Sequence, residues 1–74
     1  MDIDFGAELR GYDKDQINAV LARAVNAVES TSQAERSAMA AELTGIQFRL
    51  AMRGYIRERV DAHVSGLLQE LSRT

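Results

Sequence analysis

The segment Phe5-Gly-Ala-Glu-Leu-Arg-Gly-Tyr12 returns 43 residues later as Phe48-Arg-Leu-Ala-Met-Arg-Gly-Tyr55. This internal repeat restricts the fold of the 74-residue chain more than any other feature. The matched pairs are Phe5 with Phe48, Arg10 with Arg53, Gly11 with Gly54 and Tyr12 with Tyr55, which use every aromatic residue in the protein. Four such matches at one offset arise by chance on the order of once in a thousand chains. The register continues downstream as Ile17 with Val60, Ala19 with Ala62, Leu21 with Val64, Val25 with Leu68 and Val28 with Leu71.

Each copy is a turn followed by an amphipathic helix. In the first, Asp13 and Gln16 have the spacing of a capping box. Ile17, Val20, Leu21, Ala24, Val25 and Val28 then recur with the period of one helical face. Ser30-Thr31-Ser32 interrupts that face, and Ser32 with Glu35 offers a second capping box, so Ala34 to Leu43 is expected to be helical. Thr44-Gly45 is the expected break. Ile56, Val60, Val64, Leu67, Leu68 and Leu71 mark the last helix. Its start is open between two alternatives, because Ile56 stands where Asp13 stood and supplies no cap. Residues 47–55 form either a turn like the first, or an earlier start of the helix with Gly54 inside it at a cost of ~1 kcal/mol. At Gly11 a positive φ is expected, since glycine adopts it at little cost, and Gly11→Val should then be more damaging than Gly54→Val.

These readings give an all-α chain with a single domain over 1–74: a first unit at 3–29, a connecting helix at 32–44 and a second unit at 46–73. The units pair as a helical hairpin or in a coiled-coil-like manner. A chain this short buries only about 60% of its unfolded surface, and two amphipathic faces are more than 74 residues are expected to cover. With no cysteine and one histidine, neither disulfides nor a Cys- or His-rich metal site can compensate. A homodimer is therefore expected, with Ile17, Val20, Leu21, Val25, Val28, Val60, Val64, Leu67, Leu68 and Leu71 as the oligomer core. No cofactor is expected. The four aromatic residues are expected as anchors that pack each turn on its own helix.

Nothing in the chain has the form of a catalytic site. No nucleophile stands beside a base, and there is no glycine-rich phosphate loop, nucleophile elbow or HExxH. His63 has no second ligand or base in pattern and reads as an ordinary helix residue. The expectation is a non-enzymatic protein. No apolar run reaches the ~20 residues that span a bilayer, and the acidic start is unlike a signal peptide, which together favour the cytoplasm. The net charge of −2 argues against general nucleic-acid binding. That mean conceals an asymmetry. Met1 to Gln16 carries five acids against Arg10 and Lys14, whereas Gln47 to Val60 carries Arg49, Arg53, Arg57 and Arg59 against Glu58. The two ends of the molecule are therefore expected to present opposite fields.

The repeated element, F-x4-R-G-Y-D-x3-[IV]-[ND] in its fuller first copy, resembles the N-terminal motif of the DivIVA family of bacterial cell-division and polar-growth scaffolds. Phe5, Arg10-Gly11-Tyr12-Asp13 and Ile17-Asn18 carry the resemblance in the first copy. Phe48, Arg53-Gly54-Tyr55 and Val60-Asp61 carry it in the second, without the acid after the tyrosine. Two copies in tandem are similar to the DivIVA-domain repeat proteins, and the long downstream coiled coil of the scaffolds has no counterpart here. The resemblance implies crossed turns, helices paired in parallel, and a tip in which an apolar residue and the following arginine touch anionic membrane. In this sequence the tip residues are Leu9-Arg10 and Met52-Arg53, with Phe5, Gly11, Tyr12, Asp13, Phe48, Gly54 and Tyr55 as the turn and its anchors. It implies an adaptor of division or polar-growth machinery that contacts a protein partner, peripheral to the inner face of the membrane. By charge, Arg49, Met52, Arg53 and Arg57 of the second unit are expected to contact the membrane, whereas the acidic first unit is expected to be repelled and its Leu9-Arg10 tip to hold a protein partner. A second reading, of a different class, is a small dimeric nucleic-acid-binding or antitoxin-like regulator that uses the basic segment 47–60.

Overall fold

The computed structural model describes residues 6–73, so Phe5 lies outside the described residues. The order is β1 (Glu8–Leu9), α1 (Lys14–Glu29), α2 (Gln33–Gly45), β2 (Arg53–Gly54) and α3 (Arg57–Leu71). The chain is mostly helical, as expected, but the two turns are not isolated loops. They pair with each other as an antiparallel ribbon, Glu8 opposite Gly54 and Leu9 opposite Arg53.

The helices begin and end for local reasons. Asp13 caps α1 by accepting from the Gln16 N–H at 3.0 Å, and Ser32 caps α2 by accepting from the Glu35 N–H at 3.2 Å. The helix α2 ends at Gly45, at the expected break. Upstream of α3 the turn alternative holds. Residues 46–56 are not helical, α3 starts at Arg57, and Gly54 lies in β2 rather than inside a helix.

The apolar stripes meet within one chain. Ile17 and Leu21, early in α1, share a cluster with Val60, early in α3. Ala24 and Ala27, late in α1, share another with Leu71 at the end of α3. The two helices therefore leave the ribbon side by side in the same direction. The intervening α2 returns the chain and adds Met39 and Leu43 to the second cluster. Val28, Val64, Leu67 and Leu68 pack against these clusters while only partly buried. The expectation of a dimer rested on faces that one chain could not cover. Of the named core residues, Ile17, Val20, Leu21, Val60 and Leu71 are buried within the single chain. Val25, named with them, is 36% exposed on the single chain.

The ribbon explains the repeated glycines, and not by the reason the sequence suggests. Gly11 does not have positive φ. Among the described residues the left-handed positions are Arg10 (φ 59°) and Gly6 (φ 71°). What Gly11 and Gly54 share is a backbone crossing. A Cβ on Gly11 would sit 2.5 Å from the carbonyl carbon of Gly54, and one on Gly54 would sit 2.6 Å from the carbonyl carbon of Gly11. Real Cβ atoms do not tolerate such contacts. Both glycines are buried where the two turns pass over each other. The expected asymmetry, with Gly11→Val the worse substitution, gives way to a symmetric requirement.

Candidate functional site: the crossed turns

The crossing is held by main-chain bonds between the two copies. Tyr12 and Tyr55 exchange both bonds, N to O at 3.0 Å and 2.9 Å. Further along, Asp13 N–H donates to Arg49 O at 2.8 Å, Ala51 N–H to Gly11 O at 2.8 Å, and Arg10 N–H to Met52 O at 3.0 Å. Tyr12 and Tyr55 occupy equivalent repeat positions, so their mutual pairing gives the crossing an approximate two-fold relation.

Side chains repeat the exchange. The Tyr12 hydroxyl donates to Asp61 Oδ1 at 2.8 Å, and the Tyr55 hydroxyl donates to Asn18 Oδ1 at 2.7 Å. Asn18 and Asp61 are 43 residues apart, so each tyrosine reaches the same position of the opposite unit. The ring of Phe48 lies 5.2 Å from that of Tyr12, and Lys14 Nζ stands 5.5 Å from the centre of the Tyr55 ring. The hydroxyls of Tyr12 and Tyr55 thus tie each turn to the opposite unit, while Phe48 packs against both clusters alongside Val64 and Leu67 of α3. Asn18 and Asp61 close the two motifs at the same 43-residue offset as the tyrosines, and that shared spacing is the sequence signal that links them.

Burial, the largest single cause, and the hydrogen bond and charge of Asp61 raise the Tyr12 hydroxyl above its ordinary pKa, while Arg57 opposes them. A phenolate there would lose solvation and face a like charge.

Polar groups also cross without a two-fold counterpart. Gln16 Oε1 accepts from the Arg49 N–H at 2.7 Å instead of closing the capping box on Asp13. Glu8 Oε1 accepts from the Arg57 N–H at 2.7 Å, at the first residue of α3. The helix that lost its own cap at Ile56 is capped by the other unit. Two ion pairs follow the same lines, Arg49 with Asp13 at 3.9 Å and Arg57 with Glu8 at 3.7 Å. Glu8 and Asp13 of the first unit are therefore interleaved with Arg57 and Arg49 of the second. The expected division into an acidic and a basic end is broken at these four residues, which the crossing brings together, while Asp2 and Asp4 lie outside the described residues.

The four tip residues are likewise gathered at one place. Leu9 lies opposite Arg53 in the ribbon, and the next rung joins Arg10 to Met52 through their main chains. Leu9 is 74% and Met52 85% exposed, and both arginines are exposed as well. Among the described residues, neither the Arg10 nor the Arg53 side chain has an ion-pair partner. Arg49 and Arg57, grouped with them by sequence, are instead drawn toward Asp13 and Glu8. Leu50, 54% exposed, adds apolar surface beside Tyr12, to which it is bridged.

None of the helices among the described residues is long and apolar enough to cross a membrane. Comparison with protein-family models, with curated proteins and with solved structures finds no match to this chain.

Proposed function

We propose that this chain is a non-enzymatic docking module of DivIVA type. Its crossed turns offer one tip, Leu9, Arg10, Met52 and Arg53, to the anionic surface of a membrane, and the helical body serves as an adaptor for division or polar-growth machinery. The observation that carries this reading is the exposure of Leu9 and Met52 on the same short ribbon as two guanidinium groups. Exposed apolar side chains gathered at one place and rimmed by polar groups have the form of a membrane or protein interaction site. Inserted below the headgroups, they would bring Arg10 and Arg53 to the level of the phosphates, whose geometry a guanidinium matches. Each basic residue near an anionic leaflet contributes on the order of 1 kcal/mol, so binding is weak, peripheral and sensitive to salt.

The nucleic-acid reading has less support. Its basic segment 47–60 has Arg49 and Arg57 beside carboxylates of the first unit.

Flotation with anionic vesicles at low salt tests the proposal. Wild type should float, and Leu9→Ser and Met52→Ser should each release it to a similar degree, because both residues belong to one tip. A wild-type chain that stays in the soluble fraction, or a Leu9→Ser variant that floats as well as wild type, overturns it.

A further inference from the structure

The two units are not interchangeable halves. At the polar contacts of the crossing their sequences differ, and the contacts are completed from opposite sides. The first unit caps its own helix with Asp13, whereas the second has Ile56 there and borrows Glu8. The counterpart of Glu8 in the second unit is Ala51, which has nothing to lend. Gln16 accepts the Arg49 N–H, and its counterpart, Arg59, carries donors alone and could not do so. The acidic stretch from Met1 to Gln16 belongs to the same unit that lends the carboxylates, and the arginines of 47–60 belong to the unit that receives them.

We infer that the crossing is a heterotypic recognition surface: a unit of the first, acidic type fits a unit of the second, basic type, and each rejects its own kind. The partner this surface fits outside its own chain is the complementary unit of a second copy. Two second-type units would leave both α3 N-termini without a side-chain acceptor, and would crowd Arg49, Arg53, Arg57 and Arg59 from each side. Two first-type units would bring together two acidic stretches. Repulsion of the wrong pairing, added to fit in the right one, is what makes recognition specific. Within one chain the complementary unit is always at hand, so the intramolecular crossing prevails and the module closes on itself. The charge asymmetry of the sequence is, on this reading, an instruction about pairing.

Two full-length variants test this in trans. Gly54→Val blocks the crossing but keeps an intact first unit, and Gly11→Val keeps an intact second unit. Each alone should show reduced helicity and no self-association. An equimolar mixture should recover helical signal and form a one-to-one complex, tighter by about tenfold or more than either self-association. Salt should weaken that complex, since unlike charges are being screened. If either variant self-associates as tightly as the mixture, or if the mixture yields neither complex nor helicity, the inference is overturned.

A second measurement reads the same code in the intact chain. By hydrogen exchange, Glu8→Ala should unprotect the first turn of α3 while sparing α1, and Asp13→Ala should do the reverse. Loss of protection in α1 on Glu8→Ala, with α3 unaffected, would also overturn it.

Discussion

The first and second units carry the same motif, yet the first completes its own helix start and the second depends on its neighbour. Asp13 caps α1 from within, and α3 is capped by Glu8, whose sequence position lies 49 residues earlier. Meanwhile the glycines, the tyrosines and the two apolar-arginine tips keep nearly equivalent places. A duplicated element can therefore retain a two-fold crossing while its polar rim diverges into complementary halves. The lesson is about where repeats stay alike. Positions where backbone meets backbone have one solution, and positions where a side chain meets the opposite unit have two.

The largest effects should fall on the shared positions. Gly11→Val and Gly54→Val each force a side chain into the opposite backbone, so each should cost more than about 3 kcal/mol or abolish the fold. Thermal melts of the two variants should agree. A Gly54→Val chain that melts like wild type would break the two-fold account.

Next come the cores of the two helices. Leu71 is 1% exposed and sits with Ala24 and Ala27 of α1, so Leu71→Ala should cost about 2–5 kcal/mol by urea unfolding. Leu68 is only partly buried at the edge of that cluster, and Leu68→Ala should cost distinctly less. Equal losses would mean that α3 is turned differently about its axis.

A smaller contrast separates Arg10 from Arg53, equivalent in the repeat and different in backbone. Arg10 holds a left-handed conformation that costs a non-glycine residue on the order of 1 kcal/mol. Arg10→Gly should raise the melting temperature while lowering vesicle flotation. Arg53→Gly, at a position where φ is not positive, should lower both. A drop in melting temperature for Arg10→Gly would show that its side chain also supports the fold.

The smallest effect concerns the tyrosines. In Tyr55→Phe, Tyr12 is the sole tyrosine, and absorbance titration should place its ionisation above that of a free tyrosine. Since the folded state raises this pKa, the associated stability is present below the ordinary tyrosine pKa of about 10. It is lost as pH rises through the folded value. Asp61→Asn should bring the titration partway back, because burial, the largest single cause, remains. No downward movement would exclude Asp61 as a cause.

The repeat, the caps at Asp13 and Ser32, the end of α2 and the helical stripes were all legible in the sequence. Each is a local pattern whose cause lies within a few residues. The role of Gly11 was not, because glycine suggests φ freedom to a local reading, whereas here it makes room for a backbone 43 residues away. The same distance hid Glu8, whose acceptor role depends on a helix start in the other unit. The repeat pairs Leu9-Arg10 with Met52-Arg53 in sequence, and their meeting in one ribbon follows only from the crossing. Charge misleads for a related reason: Glu8 and Asp13 lie far from Arg57 and Arg49 in sequence and beside them in space.

The central claim is that the two turns cross within a single chain. Nuclear Overhauser contacts between the α-protons of Gly11 and Gly54 test it most directly, recorded on an equimolar mixture of isotope-labelled and unlabelled protein. The account predicts a strong contact in the labelled chain and none in the spectrum filtered for contacts between labelled and unlabelled copies. A contact seen in the filtered spectrum, or no contact in either, would contradict it.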